Sequence, residues 1–307
     1  MQTAYLSHPL CLKHEMGSHH PECPARIHAI EDQLIASGLM DYLQHHDAPE
    51  VTREQLLRVH TAAHIDHIAA SSPAQGIVHI DGDTAMNPFS YQAALRAAGA
   101  VVMAVDLVMT GKVENAFCNI RPPGHHAERE LAMGFCLFNN IAVGAAHALA
   151  HHGLQRVAIL DFDVHHGNGT EQIFHDDERV MLCSTFQHPF YPYCGADSGN
   201  DHIINVPLKA GAGGTEFRDA VTQHWLPALE AFQPQMLFIS AGFDAHRDDD
   251  MSMLTLLEAD YAWVTTEAKR FAEKYAQRRI VSALEGGYEL HALGRSATAH
   301  IKTLSGL

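Results

Sequence analysis

The sequence predicts an α/β fold, a single domain of three α/β/α layers with a mainly parallel sheet. From about residue 90 onward, helix-like and strand-like stretches alternate, which is typical of a parallel sheet with helices on both faces. The 307 residues contain no repeat, no low-complexity segment and no linker that would divide them. Residues 1–307 are therefore predicted to form one domain.

The predicted elements alternate regularly along the chain. In order they are a helix over 90–110, a strand at 116–120, a helix from 139 to 152, strands at 156–162 and 179–186, a helix over 215–232, a strand at 235–241, a helix over 258–277, a strand at 279–285 and a helix over 290–305. Gly111 and Gly153 follow the first two helices as stop signals. Pro227 predicts a kink in the helix over 215–232. The strands are short apolar runs such as RVAILDF and QMLFISA.

The composition excludes some classes of function. Hydrophobic residues make up 47% of the chain and charged residues 18%, which is ordinary for a globular protein. The net charge of −16 disfavours nucleic acid as a partner, because phosphate contacts require a basic surface. The acidic balance indicates either a self-repelling soluble surface or attraction of lysine-like or polyamine ligands.

Cysteine usage and the N-terminal residues bear on the compartment. The six cysteines form no C-x-x-C pair and no regular framework, so a reducing compartment is expected. The first twenty residues lack a basic and then apolar signal segment, and no apolar run approaches bilayer length. We therefore expect a cytoplasmic protein with no membrane partner.

Polar residues follow four of the predicted strands. The strand at 116–120 leads into RPPGHHAE, 156–162 into DVHHGNGT, 235–241 into GFDAH and 279–285 into GGYEL. Ligands of open parallel sheets bind beyond the carboxyl ends of the strands. We expect these four segments to meet at one edge of the sheet.

Asp161, Asp163 and His165 have the spacing of metal ligands. Their i, i+2, i+4 pattern projects three side chains to one side of an extended segment. Carboxylate oxygen and imidazole nitrogen bind Zn²⁺, and Asp244 is the best third ligand. Asp and His after a strand also serve as caps and turn formers.

Two further features suggest catalysis but have ordinary explanations as well. The pair His125-His126 carries little weight alone, since paired histidines occur also at His19-His20, His45-His46 and His151-His152. Gly286-Gly287 is suited to a turn, yet it also frees Tyr288 to enter a cavity and donate to an oxyanion.

The ordered motifs RPPGHHAE, GFCLFNN, DFDVHHGNGT, SAGFDAH and LEGGY closely resemble the histone deacetylase and acetylpolyamine amidohydrolase family. HHPECPARI and the Asn168 of HHGNG resemble its class II branch. The resemblance spans nearly the whole chain. It implies an arginase-like fold, one catalytic zinc on Asp163, His165 and Asp244, and hydrolysis of an acetyl amide.

The resemblance also implies roles for the catalytic residues. His126 is expected to act as general base and then general acid beside Asn168, and His125 to act as its electrostatic partner, paired with Asp161. Tyr288 is expected to donate to the tetrahedral oxyanion. An Asn rather than a carboxylate beside His126 predicts a less basic imidazole.

Relatives carry a structural potassium ion near the zinc strand and a second one nearby. The matching positions are Asp161, Asp163, His165 and Ser184 for the first site and Phe174, Asp177 and Val180 for the second. The acyl tunnel maps to Gly134, Phe135 and Tyr191. Tyr191 stands where many relatives have Phe. Met251 matches a rim position that is often Leu in protein deacetylases and Glu in a polyamine-selective branch.

Several functions remain open at this stage. An acetylated lysine in a protein or peptide is the favoured substrate, with an acetylated polyamine or another small amide as the alternative. A catalytically silent protein that only binds acetylated ligands is disfavoured, because the chain retains Tyr288 and all three expected zinc ligands. A binuclear ureohydrolase is disfavoured because Gly167 stands where a second Asp is needed. Fe²⁺ would suit the same ligands as zinc. The oligomeric state is not indicated.

Overall fold

The computed structural model describes residues 2–307, in which eight strands form one sheet and two more form a short hairpin. The strands are β1 (Thr3–Ser7), β2 (Leu43–Asp47), β3 (Val78–His79), β4 (Ala85–Met86), β5 (Asn115–Cys118), β6 (Val157–Asp161), β7 (Val180–Gln187), β8 (Ile203–Leu208), β9 (Leu237–Ala241) and β10 (Ile280–Leu284). The order in the large sheet is β2-β1-β5-β10-β9-β6-β7-β8, and every neighbouring pair in it is parallel.

Helices cover both faces of this sheet. They are α1 (Ala25–Ala36), α2 (Arg53–Leu56), α3 (Ala62–Ala70), α4 (Ser90–Met109), α5 (Asn140–His152), α6 (Asn168–Phe174), α7 (Gly214–Ala220), α8 (Leu226–Phe232), α9 (Glu258–Tyr275) and α10 (Leu290–Ser305). One apolar core lies between the sheet and α4 and α5, and a second lies between the sheet and α1, α9 and α10. The predicted three-layer fold with a mainly parallel sheet is confirmed.

The central strands are buried along their whole length. Residues of β5, β6, β9 and β10 are all buried, as expected for strands covered by helices on both faces. Such strands appear in the sequence as continuous apolar runs, which is why the sequence predicts them correctly.

Helix α4 differs from the expectation that no apolar segment has bilayer length. Within its 20 residues, an 18-residue window has a mean hydropathy of 1.5, so α4 is long and apolar enough to cross a membrane. In the structure, 67% of that stretch is buried among other parts of the chain. The apolar character of α4 therefore belongs to a core helix packed against α5 and the sheet.

Two predictions for the second half of the chain need correction. The stretch at 187–214, in which the sequence pattern predicts no strand, contains β8, an edge strand that is only partly buried and contains Pro207, so its apolar pattern is weak. The predicted helix over 215–232 is interrupted by a turn of π-helix at Val221–Trp225, just before Pro227. Pro227 then lies in the first turn of α8, where its missing N–H costs no hydrogen bond.

Strands β1 and β2 and helix α1 lie before residue 90, where the sequence pattern predicts no element. Strand β1 is inserted between β2 and β5, so the N-terminal residues belong to the main sheet.

Candidate active site

The four polar segments that follow strands lie side by side. Strands β5, β10, β9 and β6 are consecutive neighbours in the sheet and run in the same direction. Their carboxyl ends therefore open onto one edge, as the sequence predicts. This arrangement brings together residues that are far apart in the chain.

Asp163, His165 and Asp244 form a buried cluster at this edge. One ligand atom from each residue lies within 4.8 Å of the others. The His165 Nδ1 is 3.1 Å from Asp163 Oδ1 and 3.2 Å from Asp244 Oδ2. Among residues 2–307, no group donates to Asp244 Oδ2 in good hydrogen-bond geometry, although this oxygen is buried. Two buried carboxylates and one imidazole fit a divalent cation.

Backbone groups hold the two carboxylates in place. The Gly286 N–H donates to Asp163 Oδ2 at 2.7 Å, and the Val164 N–H donates to Asp244 Oδ1 at 2.9 Å. A Cβ at Gly286 would overlap the Asp244 carboxylate. Gly286 is therefore required for close approach to the cluster rather than for a turn alone. Burial, reinforced by neighbouring Asp163, raises the pKa of Asp244 to about 6.

The space beside Asp161 leaves no room for a second metal ligand at position 167. A Cβ at Gly167 would overlap Asp161 Oδ2. Asp161 itself accepts from His125 Nδ1 at 3.0 Å. A side chain at position 167, which a binuclear ureohydrolase site needs, would therefore not fit beside Asp161.

The His125-His126 pair divides into two different environments. His126 Nδ1 donates to Asn168 Oδ1 at 2.8 Å, and Asn168 Nδ2 donates to Glu128 Oε1 at 2.7 Å. Because Nδ1 carries the proton, Nε2 of His126 keeps its lone pair. His125 instead donates to the carboxylate of Asp161. Both imidazoles are buried, with ring centroids 4.1 Å apart.

The protonation preferences of the two histidines are opposite. Burial lowers the pKa of His126 well below its usual value, and the neighbouring His125 and His165 lower it further. Burial also disfavours charge on His125, but Asp163 and Asp161 outweigh burial and raise its pKa well above the usual value. One imidazole is thus held neutral beside one held protonated.

The carboxylate of Glu285 fixes the loop that carries the histidines. Its Oε2 accepts from the Gly124 N–H at 2.7 Å and from the His125 N–H at 3.1 Å. Burial raises the pKa of Glu285 to about 7. The sequence motifs include Glu285 but do not predict this contact, since it joins the ends of two different strands.

A second unpredicted network comes from the N-terminal segment. The Arg26 Nε donates to the Gly287 carbonyl at 2.6 Å, and its guanidinium also contacts the Glu285 carbonyl. Glu22 pairs with Arg26 at 3.1 Å and with Arg121, and all three are fully buried. The segment HHPECPARI therefore supports the loop before Tyr288.

Tyr288 lies over Arg26 and is held by Asp249. The Arg26 guanidinium is 4.8 Å from the ring centroid of Tyr288. Asp249 Oδ2 accepts from the N–H groups of Tyr288 and Glu289 at 2.6 and 3.0 Å, and Oδ1 accepts from the Met251 N–H at 3.0 Å. Burial raises the pKa of Tyr288 well above its usual value, so the hydroxyl keeps its proton.

The predicted tunnel residues surround this centre. The Tyr191 ring stands edge-on to His126 at 5.3 Å and to His165 at 6.0 Å. The Phe135 ring stands edge-on to Tyr288 at 5.9 Å. A Cβ at Gly134 would overlap the His126 ring.

One aromatic side chain of the tunnel wall was not predicted. Phe190, beside Tyr191, stacks on His165 with centroids 5.6 Å apart. Met251, predicted at the rim, is half-buried, and its backbone N–H donates to Asp249 Oδ1. The acidic run at 248–250 is thus not uniform, because Asp249 is buried and bonded whereas Asp248 and Asp250 are exposed.

The residues expected at potassium sites have different surroundings. Ser184 pairs with Asp161 across β6 and β7, and its buried Oγ has no hydrogen-bond partner within residues 2–307. Phe174 ends α6, Val180 begins β7, and Asp177 lies in the turn between them. There the Asp177 N–H donates to the Phe174 carbonyl and the Val180 N–H to the Asp177 carbonyl.

Comparisons with known proteins agree with this picture. Residues 20–304 match the histone deacetylase domain family. A histone deacetylase-like amidohydrolase of Pseudomonas aeruginosa is 37% identical and aligns with 100% of this chain and 87% of its own length. A probable deacetylase of Archaeoglobus fulgidus is 37% identical over 94% of this chain and 82% of its own. The crystal structure of the HDA15 HD domain has a TM-score of 0.94 and 37% identity, covering 99% of this chain and 90% of that one.

Proposed function

The chain belongs to the histone deacetylase family of acyl-amide hydrolases, and on that premise we propose that it removes acetyl groups from lysine side chains of proteins or peptides with one bound zinc ion. One observation carries this proposal: three kinds of group lie together at one edge of the sheet. They are the buried Asp163–His165–Asp244 cluster, the neutral imidazole of His126 and the protonated phenol of Tyr288.

The cluster suits zinc in charge and in donor type. Two carboxylate oxygens and one imidazole nitrogen are a ligand set that leaves a further coordination position open. A bound zinc ion would polarise the acyl carbonyl and lower the pKa of a water molecule. The same ligands would also accept Fe²⁺.

His126 is placed to carry the proton. Its Nε2 lone pair accepts a proton from the attacking water while the water oxygen bonds to the acyl carbon. The same nitrogen then returns this proton to the amine nitrogen as the C–N bond breaks. The protonated His125, held by Asp161, stabilises the negative charge that develops during this sequence.

Tyr288 supplies the remaining stabilisation. Its hydroxyl donates to the oxygen that becomes negative in the tetrahedral intermediate, a type of contact worth about 3–4 kcal/mol elsewhere. Arg26 and Asp249 hold the backbone and ring in position for this contact. We further propose that the unpartnered Ser184 Oγ belongs to a monovalent-cation site.

An acetylated polyamine is a second candidate substrate, and acidic residues near the tunnel favour it. Asp81 Oδ1 accepts from the Asp83 and Thr84 N–H groups at 3.0 and 2.6 Å, and Thr84 Oγ1 accepts from the Phe135 N–H at 3.0 Å. The loop that contains Asp81 and Asp83 is therefore hydrogen-bonded to the backbone of Phe135, an aromatic residue of the tunnel. Carboxylates at that place attract any cationic amide.

The deciding experiment measures kcat/KM of the zinc-loaded enzyme on an acetyl-lysine peptide and on acetylspermidine. We expect the peptide to be hydrolysed faster, with Tyr288→Phe as the control that keeps zinc and loses turnover. A ratio near one would leave neither substrate preferred. Tight binding of both compounds without turnover would show that the protein binds acetylated ligands and is not an enzyme.

A further inference from the structure

A second group of potential metal ligands lies away from the catalytic centre, where α4 packs on the last two turns of α5. Asp106 on α4 and His147, His151 and His152 on α5 each offer one ligand atom, all within 4.8 Å of one another. We call these four residues the Asp106 cluster.

We propose that the Asp106 cluster binds one divalent transition-metal ion, such as Zn²⁺ or Ni²⁺, at a site separate from the catalytic one. Three imidazole nitrogens and a carboxylate oxygen are donors that suit these ions. His147 and His151 are four residues apart on α5, so they share one helix face. Their rings are nearly parallel, 15° apart, with centroids at 4.9 Å.

The position in the fold also favours a cation. His151 and His152 occupy the last turn of α5, which ends at Gly153. The carbonyl groups at a helix C-terminus carry partial negative charge. Asp106 adds a full charge and remains 46% exposed, so an ion from solvent has access to it.

The present hydrogen bonds define how an ion would enter. The Nε2 atoms of His147 and His152 lie 2.8 and 2.7 Å from Asp106 Oδ1 and donate to it. An ion that binds one of these Nε2 atoms replaces its N–H proton, and that imidazole must then carry its proton on Nδ1. Within residues 2–307 no protein group hydrogen-bonds to His152 Nδ1, so for His152 this change is unhindered.

His147 is different because Arg58 blocks the same change. The guanidinium of Arg58 donates to His147 Nδ1 at 2.8 Å. A proton on Nδ1 would then face an N–H donor, and the guanidinium charge would repel the ion. Asp106, His151 and His152 are therefore the ligands of the wild-type site, because Arg58 prevents His147 from binding the ion.

The ion would not take part in the catalytic step. Helix α5 begins beside the catalytic loop, where the Asn140 side chain donates to the Pro122 carbonyl and Asn139 donates to Ala127. At 1.5 Å per residue, the residues of the Asp106 cluster on α5 lie roughly 10 to 18 Å along the helix from that loop. The expected effect is a rise in thermal stability with kcat unchanged.

The test counts metal in the holoenzyme. Protein with its catalytic metal in place is dialysed against Zn²⁺ or Ni²⁺, and bound metal is measured by mass spectrometry of the elements. Wild type is expected to bind one further equivalent and to gain thermal stability. The double variant His151→Gln/His152→Gln should lose that equivalent and keep its deacetylase activity. His175→Gln, an exposed histidine beside Asp176, is the matched control and should keep the equivalent.

Arg58→Ala separates this site from nonspecific binding by a histidine-rich protein. Removal of the guanidinium frees His147 as a fourth ligand, so affinity should rise by on the order of tenfold. Absence of a further equivalent in wild type, its persistence in the double variant, or unchanged affinity in Arg58→Ala would overturn the proposal. None of these results depends on the identity of the acyl substrate.

Discussion

Replacing Asp249 by Ala removes the acceptor that holds the backbone at Tyr288. The carboxylate accepts from Tyr288 and Glu289 N–H groups, at 2.6 and 3.0 Å, through one oxygen. An unsatisfied, partly buried N–H costs about 1–2 kcal/mol, so we expect Asp249→Ala to lower the free energy of unfolding by about 2–4 kcal/mol. Loss of the hydrogen bond from the Met251 N–H to Asp249 Oδ1 adds little to this destabilisation, since Met251 is half exposed and its N–H can bond to water.

The effect on turnover follows from the same contacts. A displacement of about 1 Å in a catalytic group costs up to roughly 100-fold in rate. We therefore expect Asp249→Ala to reduce kcat by about 10- to 100-fold while KM changes much less. The assay is steady-state kinetics on an acetylated substrate with zinc content measured in parallel. Asp250→Ala is the matched control, because it removes the same charge from an exposed neighbour.

A double-mutant cycle with Tyr288→Phe decides whether Asp249 acts through the phenol. If it does, most of the loss in kcat caused by Asp249→Ala disappears when the hydroxyl is already absent. An equal loss in both backgrounds would refute this reasoning. A loss of zinc in Asp249→Ala would also refute it, since Asp249 would then act on the metal site.

Further predictions concern the metal ligands, the proton carrier and a core histidine. Asp163→Ala should lose both zinc and activity, and stoichiometric zinc in this variant would contradict its role as a ligand. Tyr288→Phe should retain zinc, and its kcat should fall by about 100- to 1000-fold. Asn168→Asp places a carboxylate beside His126 and therefore raises the pKa of that imidazole. The fall of kcat/KM on the acid side of the pH profile should then begin at a higher pH. An unchanged acid side of the profile would argue against His126 as the base. Burial lowers the pKa of His300 to about 3, so its contribution to stability is complete above the unfolded value of about 6.5 and is lost as the pH falls toward 3. Between pH 8 and pH 5 this loss amounts to about 2 kcal/mol, and urea unfolding of His300→Asn should show a correspondingly smaller loss.

The sequence predicts the fold and the centre of the site for a shared physical reason. Strands β5, β6, β9 and β10 are covered on both faces, and their apolar runs end in polar segments that mark one sheet edge. The spacing of Asp163 and His165 is local, so it is visible without a structure. Asp244 is found from its place after a neighbouring strand, and the family resemblance, now confirmed, adds the proposed division of roles in the histidine pair.

The supporting residues could not be predicted in this way. Glu285, Arg26 and Asp249 act through contacts with backbone groups far away in the chain. A buried carboxylate that accepts N–H groups has no periodicity and no characteristic spacing. The run at 248–250 illustrates this, since three adjacent Asp residues differ in burial and only the structure shows which one is buried and accepts from the N–H groups beside Tyr288.

The strand order also determines when the protein becomes competent during its synthesis. Strand β5 pairs with β1 and with β10, so an early segment and one of the last must both be present before it is enclosed. A nascent chain that already contains Asp163 and His165 still lacks Asp244 and the Gly286 N–H that orients the Asp163 carboxylate. Sheets built from such distant pairings fold slowly. A metal ion that requires all three proposed ligands would therefore be captured late, and it would stabilise a finished scaffold rather than nucleate it.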